Sequence, residues 1–286
     1  MSAFRLFALT CLAMVAFAAN SVLGREGLLG GDIDAGSFAL IRLVSGAMLL
    51  LLIAAPKRAW KNSDWRSGSA LFVYAAFFAY AYIAIGAGTG ALILFAIVQI
   101  VMTGAGWLRG ERLSPLQWGG LALALGALGW WLLPSAEAPS PLGAASMMIA
   151  GIGWGAYSLF GLGQTDPVGR TAGNFLRATL LALPTLSIAI LSFGGFEIGW
   201  RGAALAVASG AITSGLGYVI WYAALRGLTA TRAGVAQLTV PVIAALGGIL
   251  IGEPLTVRFS IAAALILTGV ALASFAKPKP SSASNS

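Results

Sequence analysis

The sequence holds no histidine and a single cysteine, Cys11, and only 9% of its 286 residues are charged. Without histidine or a second thiol, disulfides within the chain and the usual zinc sites are excluded. A membrane-embedded enzyme would need clustered acids, histidines or a metal-binding set, and none of these lies inside an apolar run. No metal, cofactor or catalytic residue is therefore expected. A soluble globular chain carries roughly a quarter charged residues, so a chain that is 59% hydrophobic is not a soluble fold. The net charge of +8 does not indicate nucleic acid, because the basic residues lie between hydrophobic runs and form no continuous patch. Long polar connections are also scarce, the stretches 56–65 and 135–141 apart, so no soluble domain is inserted.

What the sequence has is hydrophobic length. Runs of about 20 residues, enough for a helix to cross the hydrocarbon core, recur as Phe4 to Leu23, Gly36 to Ala55, Ser67 to Ile85, Thr89 to Leu108, Leu116 to Leu133, Leu142 to Leu162, Ala172 to Phe193, Gly202 to Ala223, Ala233 to Ile251 and Val257 to Ala276. The expectation is an all-α integral membrane protein of ten transmembrane helices: one membrane domain over 1–276 and a disordered cytoplasmic tail over 277–286. Lys57, Arg58, Lys61, Arg66, Arg109, Arg112, Arg170, Arg226 and Arg232 fall on one side, and Asp32, Asp34, Glu197 and Glu253 on the other. By the positive-inside rule both termini are cytoplasmic, in a bacterial inner membrane. Arg5 followed by an apolar run and Ala16-Phe17-Ala18 also fits a cleavable signal peptide, but the repeat described next gives the first span a partner in the mature fold.

Phe17-Ala-Ala-Asn20-Ser21-Val-Leu-Gly24 resembles Trp154-Gly-Ala-Tyr157-Ser158-Leu-Phe-Gly161, Arg42 matches Arg177, Tyr80-Ala81 matches Tyr222-Ala223, and Gly110-Glu111-Arg-Leu113-Ser114 matches Gly252-Glu253-Pro-Leu255-Thr256. The chain thus reads as repeat one, 1–135, and repeat two, 136–276. An odd number of spans per half inverts the second half in the membrane, an arrangement that serves alternating access around a site near the midplane.

The run Gly217-Tyr-Val-Ile-Trp-Tyr-Ala-Ala-Leu, followed by Thr231-Arg-Ala-Gly-Val-Ala, Pro241-Val, Gly252-Glu253-Pro-Leu and Gly269-Val, is similar to the second half of the ten-helix EamA-type branch of the drug/metabolite transporter superfamily. Within it the length and aromatic inner faces resemble the YddG-like amino-acid exporters. The resemblance implies ten helices in two inverted five-helix units and a small-molecule cargo. Pro241 has Gln99 at the equivalent place in the first half.

Gly252 and Thr256, like Gly110 and Ser114, read as helix punctuation, with Glu111 and Glu253 accepting hydrogen bonds from the following helix. Gly86-Ala-Gly-Thr-Gly90 reads as a tight external turn. Trp60, Trp65, Trp107, Trp118, Trp130, Trp131 and Trp200 lie near span ends and suit an interfacial belt. Deeper polar and aromatic residues, Asn20, Phe78, Tyr82, Gln99, Trp154, Tyr157, Ser158, Tyr222 and Gln237, are the candidate substrate-binding set. Amides beside aromatic walls suit a zwitterion with an apolar side chain, although the same groups could hold helices together. Arg42 and Arg177 are the basic groups well inside spans; each could meet a carboxylate cargo, pair with backbone carbonyls or snorkel. The expected function is export of amino acids, aromatic ones included, by a monomer or weak homodimer, with another metabolite or a cationic drug as alternative cargo. The absence of an intramembrane carboxylate or histidine argues against proton coupling.

Overall fold

The computed structural model describes residues 2–108, 114–135, 138–193, 197–228 and 230–275, which are helical apart from turns and one isolated bridge between Ile33 and Ile198. Gly110, Glu111 and the 277–286 tail lie outside these residues. A helix lies over each expected span: α1 (Ala3–Leu29), α2 (Ala35–Ile53), then a short additional α3 (Pro56–Asn62), α4 (Trp65–Tyr82), α5 (Ala87–Leu108), α6 (Pro115–Leu132), α7 (Pro141–Gly161) and α8 (Pro167–Phe193). The eighth span divides into α9 (Trp200–Val207), a π-helical segment (Ala208–Leu216) and α10 (Gly217–Leu225), and the ninth into α11 (Ala230–Gln237) and α12 (Thr239–Leu250), before α13 (Val257–Phe275). Among the described residues, α1, α2, α5, α7 and the combined Trp200–Leu225 are long and apolar enough to cross a membrane. The opening turns of α8 instead carry Arg170, Thr171, Asn174 and Arg177, whose polarity is absorbed inside the protein.

Local chemistry sets the helix ends. Ser114 caps α6 with a reciprocal Gln117 bond and Pro115 at the first position, and Asp34 and Asp64 accept from the Ser37 and Ser67 amides at 2.8 and 2.7 Å, satisfying donors that a helix leaves free. After α12, Gly252 takes φ +86°, a left-handed conformation that favours glycine, and Thr256 caps α13 by accepting from Phe259 at 3.1 Å. Proline lacks the amide that would bond the carbonyl four residues back. Pro241 therefore denies Gln237 its partner, and the helix breaks between α11 and α12, while α5 runs unbroken past Gln99.

Three expectations are corrected. Gly86–Gly90 is not a turn: the helix begins at Ala87, and a Cβ at Gly88 or Gly90 would sit 2.9 Å from Ala245 or 2.4 Å from the Tyr82 ring, so glycine here permits close approach. Glu253 does not serve the helix that follows it. Its Oε2 accepts from the Ala87 amide at 2.7 Å and its Oε1 from Arg25 Nε at 2.8 Å, which caps α5 from across the bundle. Trp131 is not interfacial but 1% exposed, edge-on to Phe259 at 5.8 Å.

The helices of the two sequence halves interdigitate. α2 packs on α8, α5 on α12 and α6 on α13; α4 packs on α7 as α1 does on α10 and the π segment; α5 packs on α7 as α12 does on α1. At the end that carries Lys57, Arg58 and Lys61, polar contacts bind α3 to α8. Asp166 accepts from Arg58 Nε and Asn62 Nδ2 at 2.8 and 2.6 Å and caps α8 through the Gly169 amide at 3.0 Å. The Arg58 hydrogen bond, outweighing partial burial, holds the Asp166 carboxyl below its usual range. A carboxylate with a depressed folded pKa stabilises above its unfolded value and loses that contribution as pH falls through the folded one. Asp166→Ala is thus expected to cost about 1–2 kcal/mol at pH 7, most of it the lost cap because Arg58 is exposed. Thermal unfolding in detergent should show a lowered midpoint whose difference from wild type narrows only below about pH 4.

Candidate substrate site

The middle of the bundle is built around a buried cation. Arg42 on α2 is 1% exposed. Its Nε donates to Ser214 Oγ at 3.0 Å, and its Nη2 donates to the Tyr74 and Tyr218 hydroxyls at 3.0 and 2.8 Å. The guanidinium carbon lies 4.9 Å from the centre of the Tyr74 ring and 4.5 Å from that of Phe78, contacts that favour a desolvated cation. Its Nη1 has no hydrogen-bond partner, and none of the ion pairs among the described residues involves it.

The spacing of α4 explains part of this. Tyr74 and Phe78 are four apart and share one helix face, and the π segment opposite brings Ser209, Thr213 and Ser214 to a single acceptor. Their hydroxyls approach Asn20 Oδ1 at 2.6, 3.1 and 3.3 Å, while Asn20 Nδ2 donates to the Tyr74 hydroxyl at 3.0 Å. The wider π turn alters which residues face inward, and such segments are frequent at functional sites. The Tyr74 oxygen also faces the Tyr218 hydroxyl at 3.1 Å, so three donors converge on it. The centre is rich in donors, poor in acceptors and cationic.

Around it stands an aromatic cage. Phe17, Trp154 and Tyr218 meet with centroids 4.6 to 5.9 Å apart, Trp221 touches Phe17 at 5.5 Å, and Tyr157 stacks between Trp154 at 5.5 Å and Tyr222 at 5.1 Å. All are buried. Of the expected residues, Asn20, Phe78, Trp154, Tyr157 and Tyr222 belong to this assembly, and Gln237 joins it by accepting from Trp154 Nε1 at 2.9 Å. Tyr82 lies one turn beyond Phe78 toward the acidic end, with ring centres 4.6 Å apart. Ser158 is buried beside Tyr157 in sequence, and its hydroxyl has no partner. Gln99 donates to Thr103 at 3.3 Å and faces Gly234. These side chains pack on one another. A volume of about 230 Å³ is lined by Arg25, Thr89, Trp131 and Glu253, and one of about 580 Å³ by Asp64, Arg66, Gln164 and Arg170.

Sequence reasoning omitted Tyr74, Tyr218 and the π-segment hydroxyls from the set. The signal was present in the shared faces of Tyr74 with Phe78 and of Tyr218 with Tyr222. It was obscured by matching Tyr80 to Tyr222, since Tyr80 is 40% exposed and Tyr222 is buried. Arg42 and Arg177, matched by the repeat, have different surroundings. Arg177 reaches Ser63 and, at 3.1 Å, the Trp60 carbonyl, stacked 3.9 Å from the Trp60 ring, so backbone pairing is its role.

Residues 141–275 match the EamA-like transporter family. Across 277 residues, covering 94% of each chain, the sequence is 48% identical to an uncharacterized protein of Pseudomonas aeruginosa. An uncharacterized transporter of Archaeoglobus fulgidus is 26% identical over 236 residues, 79% of this chain and 83% of that one. The chain belongs to the EamA-like transporter family. It is a multi-pass membrane protein of the drug/metabolite transporter type, and neither the family nor the relatives point to an enzyme. A solved crystal structure of a protein sharing 20% identity superposes with a TM-score of 0.65 over 93% of this chain and 96% of its own, a likeness in fold.

In this EamA-like transporter the Arg42 centre depends on close approach of α2 to the π segment. A Cβ on Gly210 would stand 2.0 Å from the Arg42 carbonyl oxygen and 2.3 Å from Ser45 Oγ, and backbone cannot yield as a side-chain tip does. Gly210→Ala is expected to lower stability by about 1–3 kcal/mol, whereas Gly104→Ala, with open space around the added methyl, should leave the melting midpoint in detergent near wild type. Equal midpoints for the two variants would contradict this packing.

Proposed function

We propose that the protein exports amino acids, aromatic ones included, by alternating access, with Arg42 receiving the cargo carboxylate and the surrounding rings its apolar side chain. The observation that carries this reading is the buried guanidinium with a free Nη1 and no carboxylate partner. A lone ion in low dielectric costs several kcal/mol, and a cargo carboxylate would supply the missing charge and acceptor through charge-assisted hydrogen bonds. For the ammonium group, the amide oxygens of Asn20 and Gln237 would exchange the donors they now accept from, the Ser209, Thr213 and Ser214 hydroxyls and Trp154 Nε1. The packed cage corresponds to a state between openings, so cargo must part these rings to reach Arg42.

The packing supports the inverted repeat. Exchanging the halves converts α4 on α7 into α10 on α1, and α5 on α7 into α12 on α1, while α2 with α8, α5 with α12 and α6 with α13 exchange into themselves. That is the pattern expected of two units related by a two-fold axis in the membrane plane. With Lys61 cytoplasmic, the Arg25 to Glu253 pair and the strand-like contact of Asp34 with Glu197 at 3.0 Å close the external side, and the Asp166 cluster closes the internal one.

Two experiments test this. In a Cys11→Ala background, cysteines near Asp34 and Glu197 should react with an impermeant thiol reagent from outside the cell, and one near Lys61 should not; the reverse pattern would overturn the orientation. In proteoliposomes, L-phenylalanine and L-tryptophan should move down their gradients without an imposed pH gradient. Arg42→Gln should reduce that flux by about tenfold or more, the scale of a lost charge-assisted bond, and Tyr218→Phe by less, while Trp200→Ala at an 84% exposed position should leave it unchanged. Full transport by Arg42→Gln at matched expression and melting midpoint would place the carboxylate elsewhere.

A further inference from the structure

Between the Arg42 cage and the volume at the basic end lies a second group of buried polar atoms. Thr171 Oγ1, both amide atoms of Asn174, the Tyr157 hydroxyl and Arg170 Nε lack hydrogen-bond partners, although Thr171, Asn174 and Tyr157 are fully buried. They are neighbours: Tyr157 lies against Asn174, Thr171 and Arg170, and Tyr222 against Arg170, without hydrogen bonds of good geometry joining Tyr157 to Asn174 or Thr171. Unsatisfied groups of this kind cost about 1–3 kcal/mol each, so several gathered at one place indicate a visitor, either water or ligand.

Position suggests which. Arg170 borders the basic-end volume, and its Nη2 is bound to Asp64 at 2.6 Å, Ser67 at 3.0 Å and the Phe160 carbonyl at 3.1 Å, while its Nε is buried without a partner. On the other side Tyr157 stacks on Trp154 and Tyr222, and Tyr222 donates to the Tyr157 carbonyl at 3.0 Å. The polar group therefore stands between the inner opening and the cage. It offers hydroxyl, amide and guanidine donors, and its one full charge is already neutralised by Asp64.

We infer that Tyr157, Thr171, Asn174 and Arg170 form a cytoplasm-side station that holds the carboxylate group of the cargo before it advances to Arg42. A neutral, donor-rich station binds a carboxylate less strongly than the unpaired cation beyond it, so cargo is drawn inward rather than trapped. The inference rests on the transporter reading above but assigns Thr171, Asn174 and Arg170, which that reading does not use.

The test places single cysteines at Thr171, Asn174 and, as control, the fully buried Ala182 of the same helix in a Cys11→Ala background. Inside-out vesicles are treated with a small impermeant thiol reagent, with and without phenylacetate or L-phenylalanine. Cysteines at 171 and 174 should label severalfold faster than the one at 182, and phenylacetate at ten times its Kd should slow them about tenfold by occupancy. Thr171→Val, which keeps the side-chain shape, should raise the transport KM severalfold. Protection by phenylacetate but not by L-phenylalanine would leave the station standing and defeat the amino-acid reading. Labelling no faster than at 182, or an unchanged KM in Thr171→Val, with Arg42-dependent L-phenylalanine flux intact, would overturn the station alone.

Discussion

A permanently charged guanidinium buried without a counter-ion among the described residues is the constraint on which the centre of this protein depends. Arginine keeps its proton at any relevant pH, so burial cannot be relieved by neutralisation as it is for a carboxyl or lysine. The surroundings of Arg42 supply hydroxyl acceptors from Tyr74, Tyr218 and Ser214 and the ring faces of Tyr74 and Phe78. These offset part of the desolvation cost, and the free Nη1 marks what they leave unmet. The same need accounts for the π segment, which brings Ser214 to Arg42 and Ser209 and Thr213 to Asn20, and for glycine at 46 and 210. A Cβ at Gly46 would lie 2.4 Å from the Phe175 ring.

The polar groups at the two ends have a different character. Arg25 with Glu253, Arg58 with Asp166 and Arg170 with Asp64 are paired, partly hydrated and tied to backbone groups, so each end is closed by contacts that can be exchanged for water at modest cost. The centre is the reverse, buried and incompletely paired. A bundle with replaceable contacts at both ends and an unsatisfied site between them is what the proposed alternating openings would require.

Much of this was legible in the residues. Apolar length located the helices and the Ser114-Pro115 and Gly252 punctuation located two ends, whereas the ninth span reads as one run and its division at Pro241 is not foreseen. Helical periodicity puts Tyr74 with Phe78 and Tyr218 with Tyr222 on shared faces, but Phe78, Trp154, Tyr157 and Tyr222 lie on three helices that only packing brings together. The short α3 was not legible, since seven residues rich in lysine and arginine carry no strong period. Nor was the π segment, because Ser, Gly and Thr in its sequence are equally compatible with an ordinary turn of α-helix.

What the sequence alone determined was the solvent: composition and run length demand a lipid environment, and the charge bias and repeat suggest how the chain is threaded through it. Tertiary structure decided the partners. Glu253 caps α5 rather than the helix beside it, Trp131 turns inward, and Arg42 and Arg177, equivalent in the repeat, become a central cation and an interfacial clasp. Hydrophobicity and helical period are properties of neighbouring residues, whereas the worth of a buried charge depends on groups that only folding brings within 3 Å of it.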